Sequence, residues 1–147
     1  MDIRQITPRY HVAPQISVED IPALAEAGIT RVICNRPDGE VPRSHQADSI
    51  GAAVREAGLE FEVLPLTHQT MTPENVAKQA ALVDAASGPV LAYCASGTRC
   101  SVIWALGQVG TQSTDEILRT VAQAVDRPMG ELPSLVADDA AVRSITA

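Results

Sequence analysis

Residues 89–106 read PVLAYCASGTRCSVIWAL: a short apolar run, a small polar turn, then a second apolar run with a different rhythm. Pro89–Tyr93 is continuously apolar and too short for a helix, as expected of a strand buried on both faces. The stretch SVIWALGQVG, residues 101–110, has helical spacing and stops at Gly110. A strand, a tight turn and a helix in that order make half of a βαβ unit, whose strands pair in parallel.

The same alternation continues outward. Ile3–Thr7 and Tyr10–Ala13 read as strands. Ser17, with Asp20 at the capping-box position, opens a helix that Gly28 closes. Thr30–Asn35 is a strand rich in β-branched residues, and Arg36–Arg43 (RPDGEVPR) is a turn. Ser44 caps a helix ending before Gly58, and Leu59–Leu66 is the next strand. Thr72, with Pro73 at the first helical position, starts a helix stopped by Ser87 and Gly88. Downstream, Ser113 and Glu116 form a second capping box for a helix to about Val125. The stretch DRPMGELPS follows as a loop, and a short helix begins at about Ser134. No repeat or linker divides the 147 residues, so residues 1–147 are expected to form one domain. The alternation predicts a three-layer α/β sandwich around a central, mostly parallel sheet. Its functional crevice should lie beyond the carboxyl ends of the strands, where the loops Arg36–Arg43, Thr67–Met71 and Cys94–Arg99 converge.

Composition narrows the function. The chain carries 11 Lys+Arg against 18 Asp+Glu, a formal net charge of −7, and Lys78 is its single lysine. Without a basic run, a nucleic-acid or anionic-membrane surface is not expected. Any anion must be held by a local site. Met1–Pro14 has no apolar core of a signal peptide, and no apolar run is long enough to span a membrane. Three cysteines, Cys34, Cys94 and Cys100, make an odd and sparse set, unlike a secreted disulfide framework. A cytoplasmic location with reduced thiols is the expectation. His11, His45 and His68 are scattered without metal-ligand spacing, so neither a metal nor another cofactor is expected.

The turn after the apolar strand carries the chemistry. Backbone N–H groups of Ala95, Ser96, Gly97, Thr98 and Arg99 can curl into an anion-binding nest, with Gly97 free of Cβ restrictions. The following helix adds the positive end of its dipole. Both features, and the Arg99 guanidinium, favour the thiolate of Cys94. A planar guanidinium also grips two oxygens of a tetrahedral anion. Nucleophile, oxyanion cradle and cation therefore fall within six residues. The plainer alternative is a small buried cysteine before a connecting turn. Asp38 and Glu40 lie on a loop expected to face Cys94, where one could protonate a leaving group or hold Arg99 in place; a turn serving backbone geometry is the competing reading. Arg36 is a second anion contact or a surface salt bridge. His68 can act as general acid or simply be solvated. Cys100 and Cys34 are candidate redox partners of Cys94, or small residues filling a packed site.

The stretches Pro14–Glu40 and Gly88–Leu106, with NRPDGE at Asn35–Glu40 and YCASGTR at Tyr93–Arg99, closely resemble the β-lactamase-hydrolase-like, phosphatase-like domain family. That family is similar to dual-specificity protein phosphatases, looks bacterial, and is also labelled a sulfur transferase. The resemblance covers roughly Ile3 to Val125. It implies a protein tyrosine phosphatase-like fold, with Cys94 as nucleophile and Arg99 as anion-binding residue. The sequence departs from the tyrosine phosphatase signature in having four residues between cysteine and arginine instead of five. It also has no Asp or Glu in Thr67–Thr70, where dual-specificity phosphatases carry an aspartic general acid. Four is the spacing of many single-domain rhodaneses.

The expected function is covalent transfer through Cys94 on a small anionic substrate, with phosphomonoester hydrolysis first. A rhodanese-like sulfurtransferase carrying a Cys94 persulfide, served by a sulfane donor and a partner enzyme of persulfide metabolism, is the alternative. A module that binds phosphate or sulfur species without catalysis is the third reading.

Overall fold

The computed structural model describes residues 1–109, 111–126 and 128–129. β1 (Ile3–Thr7) and β2 (Tyr10–Ala13) form a hairpin whose turn is pinned by Thr7 Oγ1, which accepts from the N–H groups of Arg9 and Tyr10. The chain then alternates: α1 (Ile21–Ala27), β3 (Arg31–Cys34), α2 (Ala47–Glu56), β4 (Glu60–Val63), α3 (Pro73–Asp84), β5 (Val90–Tyr93), α4 (Thr98–Gly107), α5 (Thr114–Asp126) and β6 (Pro128–Met129).

The strands form one sheet in the order β4-β3-β5-β2-β1-β6. β5 lies inside it, parallel to both β3 and β2. That position explains why it reads as unbroken hydrophobic sequence. β1 runs antiparallel to both of its neighbours, so the sheet is parallel in its centre and antiparallel at one side. Alternate residues divide the core in two. Val32, Cys34, Leu91 and Tyr93 face a cluster with Leu24 of α1 and Ile50 and Val54 of α2. Ile33, Val90 and Ala92 face the other side, against Leu82 and Val83 of α3 and Trp104 of α4. The result is the expected three-layer sandwich.

Several boundaries differ from expectation. Ser17 and Asp20 do form the capping box, but it opens a single 3-10 turn at Val18–Asp20 before α1. Ser44 caps nothing: its hydroxyl pairs with His45 Nδ1 at 2.8 Å, inside a 3-10 turn at Arg43–His45. Gln46 is extended at ψ 163°, so α2 starts only at Ala47. The orphan N–H there donates to Asp38 Oδ1 at 2.8 Å, a cap supplied from nine residues upstream. The strand expected over Leu59–Leu66 contracts to Glu60–Val63, and α4 begins at Thr98 and ends at Gly107. Part of the expected loop after Val125 is an edge strand, Pro128–Met129, paired with β1. The helix expected from Ser134 lies outside the described residues. None of the described helices is long and apolar enough to cross a membrane.

Candidate active site

Cys94 follows the last residue of β5, and its N–H still donates to the Ala13 carbonyl of β2 at 3.2 Å. The chain then turns sharply. Gly97 takes φ 89°, the left-handed conformation that suits glycine, and serves as N-cap of α4. This places the nest beneath a helix of ten residues, so backbone donors and the dipole act on one point. Gly97 N–H donates to Cys94 Sγ at 3.1 Å.

These contacts set the thiol's acidity. The largest influence is a hydrogen bond from the Cys100 thiol, which favours the Cys94 thiolate. Burial opposes it, and the backbone N–H groups of Cys100, Ser96 and Gly97 add further stabilisation. Together they hold Cys94 at about 5, against an ordinary value of 9.0. Cys100 moves the opposite way: burial and its bond to Cys94 push it well up, so it stays a thiol. Both sulfurs lie on the same face of the sheet.

Arg99 stands in the first turn of α4 with its guanidinium fixed by three bonds. Nη1 and Nη2 grip both oxygens of Glu40, at 2.9 and 2.7 Å, and Nη1 also donates to the Leu66 carbonyl at 2.7 Å. A guanidinium has five N–H donors, so the two left over lie on its Nε–Nη2 edge, the side-on fork that matches two anion oxygens. Glu40 is itself held by Arg36, whose Nε donates to Glu40 Oε1 at 3.3 Å and whose Nη1 reaches Gln15 Oε1 at 3.2 Å. The hydrogen bond from Arg99, then its charge, hold the Glu40 carboxyl below its usual range.

The structure thus joins Arg99, Glu40 and Arg36 through one network at the far end of the loop that Cys94 opens, with Ala95, Ser96 and Thr98 exposed along the loop. Ser96 Oγ donates to Thr98 Oγ1 at 2.9 Å, bracing the turn from outside. Asp38 shares a 3-10 turn with Glu40, residues Asp38–Glu40, but its carboxylate is engaged with the Ala47 N–H. His68 is exposed at the tip of the Thr67–Thr70 turn. Cys34 lies on the opposite face of the sheet from Cys94; its Sγ donates to the Arg36 carbonyl at 3.4 Å, and burial pushes its thiol up. Among the described residues no cluster could hold a metal.

Sequence reasoning missed the Leu66 carbonyl that holds Arg99, and it missed Gln79 and Tyr10, buried groups bonded to each other, with Tyr10 also bonded to the Cys100 carbonyl. Gln79 carried one detectable signal: it occupies an inward position among Val76, Ala80 and Val83 in an otherwise amphipathic helix.

Residues 2–111 match the sequence model of the family described as "Beta-lactamase hydrolase-like protein, phosphatase-like domain". A β-lactamase hydrolase-like protein of Xylella fastidiosa is 31% identical over 119 residues, covering 80% of this chain and 28% of that protein. The chain therefore spans under a third of that relative. A solved structure of a candidate phosphatase from Neisseria meningitidis is similar at a TM-score of 0.76 and 32% identity, covering 87% of this chain and 91% of the other. The fold is shared with TpbA of Pseudomonas aeruginosa, solved as a cysteine-to-serine variant with phosphotyrosine, at a TM-score of 0.62 and 16% identity over 80% of this chain and 70% of that one.

Proposed function

We propose, because the chain belongs to the phosphatase-like domain family of β-lactamase hydrolase-like proteins, that it is a cysteine-dependent hydrolase of small phosphomonoesters. The single observation that carries this reading is a cysteine held as thiolate by the Cys100 thiol and backbone N–H groups, with an arginine beside it keeping one donor edge unspent. The phosphoryl group enters the nest, and the Nε–Nη2 edge of Arg99 takes two of its oxygens. The Cys94 thiolate attacks phosphorus, the bond to the ester oxygen breaks, and the alkoxide or phenoxide leaves with that electron pair. Water then attacks phosphocysteine, the S–P bond breaks, and inorganic phosphate departs as the thiolate returns.

Glu40 is ionised at neutral pH because Arg99 stabilises its charge, so it orients Arg99 and does not serve as the acid. Asp38 braces the start of α2. With both carboxylates of the Asp38–Glu40 turn so engaged, the favoured substrates are aryl phosphates, whose leaving groups need little protonation, and His68 is the candidate donor for poorer ones. A loop one residue shorter than the tyrosine phosphatase signature supplies one fewer N–H donor. Losing one such donor costs about 10²–10³ in rate, so turnover is expected to be slow.

The four-residue spacing favours a second reading, a Cys94 persulfide formed from a sulfane donor, since one terminal sulfur needs a smaller cradle. Aryl-phosphate hydrolysis and intact mass after thiosulfate, measured on wild type and Cys94→Ser, test both. Hydrolysis that vanishes in Cys94→Ser supports the phosphatase. Sulfur gain on Cys94 without phosphate release overturns it in favour of the second reading.

A further inference from the structure

We propose that the buried amide pair Asn35–Gln79 is a positioning device that aims Arg99 at the substrate anion. The inference rests on the reading of Arg99 as an anion-binding residue.

Gln79 is the one buried residue of α3, at 2% exposure, and Asn35 is fully buried at the end of β3. An apolar side chain would ordinarily fill such an inward helix position, because burying an amide is costly unless every polar atom is paired. Here every one is. Gln79 Nε2 donates to Asn35 Oδ1 and Asn35 Nδ2 donates back to Gln79 Oε1, both at 3.0 Å. The second N–H of each side chain leads outward. That of Asn35 donates to the Leu64 carbonyl at 2.9 Å, and that of Gln79 to the Tyr10 hydroxyl at 3.2 Å.

Two arms run from this pair to one residue. In the first, Asn35 holds Leu64 by its side chain and takes the Leu66 N–H on its own carbonyl at 2.9 Å; the Leu66 carbonyl then receives Arg99 Nη1. In the second, Tyr10 donates its hydroxyl to the Cys100 carbonyl at 2.7 Å, fixing the backbone next to Arg99. The side-chain end and the main-chain end of the arginine are therefore tied to the same buried amides. Fully satisfied networks of this kind have one low-energy arrangement and transmit it. Without them, the guanidinium would be oriented only by the carboxylate of Glu40, an exposed residue itself held by Arg36 through two long bonds of 3.3 Å.

Tungstate serves as an oxyanion probe in titration calorimetry, alongside para-nitrophenyl phosphate kinetics and Tm. Gln79→Met should weaken tungstate binding about tenfold, as misplacing a supporting residue does. Tyr10→Phe, which keeps the ring and removes one hydroxyl, should weaken it in the same direction, and it carries the test if Gln79→Met does not fold. The double variant Asn35→Leu with Gln79→Met should recover Tm, since replacing both partners by apolar groups is nearly neutral, but not tungstate affinity. Recovery of both would make the pair merely structural and overturn the proposal. Wild-type affinity in Gln79→Met and Tyr10→Phe, with affinity lost in Arg99→Ala, also overturns it while leaving the reading of the site intact. Wild-type affinity in Arg99→Ala overturns that reading itself.

Discussion

A buried thiolate persists only where hydrogen-bond donors replace the water it gives up. At Cys94 those donors are one thiol and three backbone N–H groups, the thiol contributing most. Alkylation of Cys94 by iodoacetamide should therefore titrate with a midpoint near 5 in the native protein. In Cys100→Ala the midpoint should climb toward 9 while the plateau rate at high pH stays similar, as stopped-flow alkylation would record. An unshifted midpoint would transfer the stabilisation to the backbone alone. The carboxylates separate in the same way. Glu40→Gln should lower kcat/KM for an aryl phosphate about tenfold, because the guanidinium loses a charged bidentate partner, and the acid limb of the pH–rate profile should not move. Asp38→Asn keeps the capping oxygen and should leave both Tm and kcat close to normal, whereas Asp38→Ala should cost about 1 kcal/mol of stability. A 10²-fold loss of kcat from Asp38→Asn would make Asp38 the acid.

At the scale of elements, the junction between β5 and α4 depends on a backbone conformation as much as on side chains. Gly97→Ala forces a Cβ into the left-handed region at φ 89°, costing about 1–2 kcal/mol. The nearest atoms, of Ala13 and Val12, leave ordinary room at 3.6–3.7 Å. The strain should relax by tilting the loop, so activity should fall further than Tm does; a purely thermal effect would show the loop to be rigid. This junction was legible in the sequence because strand, glycine turn and helix each leave a local mark. The start of α2 was not. Ser44 has the right chemistry for a cap, yet Pro42 and the extended Gln46 interrupt the helix, and the acceptor for Ala47 comes from Asp38 in another turn. Glu40 and Asp38 likewise looked equivalent on the loop, and only the neighbours each one meets tell them apart. Gln79 could be seen as a polar residue on an apolar face, but its partners Asn35 and Tyr10 are 44 and 69 residues away in the chain.

For the whole molecule, the low pKa of one cysteine becomes a slope in stability. A group whose folded value is depressed stabilises the fold fully above its unfolded value and loses that contribution as pH falls through the folded one. For Cys94 that window runs from about 9 down to about 5. Over it, Tm of the native protein should rise with pH relative to Cys94→Ala, and parallel curves would argue against a buried thiolate. The sheet gives this chemistry a further consequence. It walls Cys34 from Cys94, and the thiol beside Cys94 resists ionisation, so near neutral pH the molecule offers a single reactive sulfur. An electrophile supplied in limiting amount should then be consumed one equivalent per correctly assembled loop. The protein is in that sense its own titrant: the mass of one adduct, counted against total chain, measures what fraction of any preparation is competent to react.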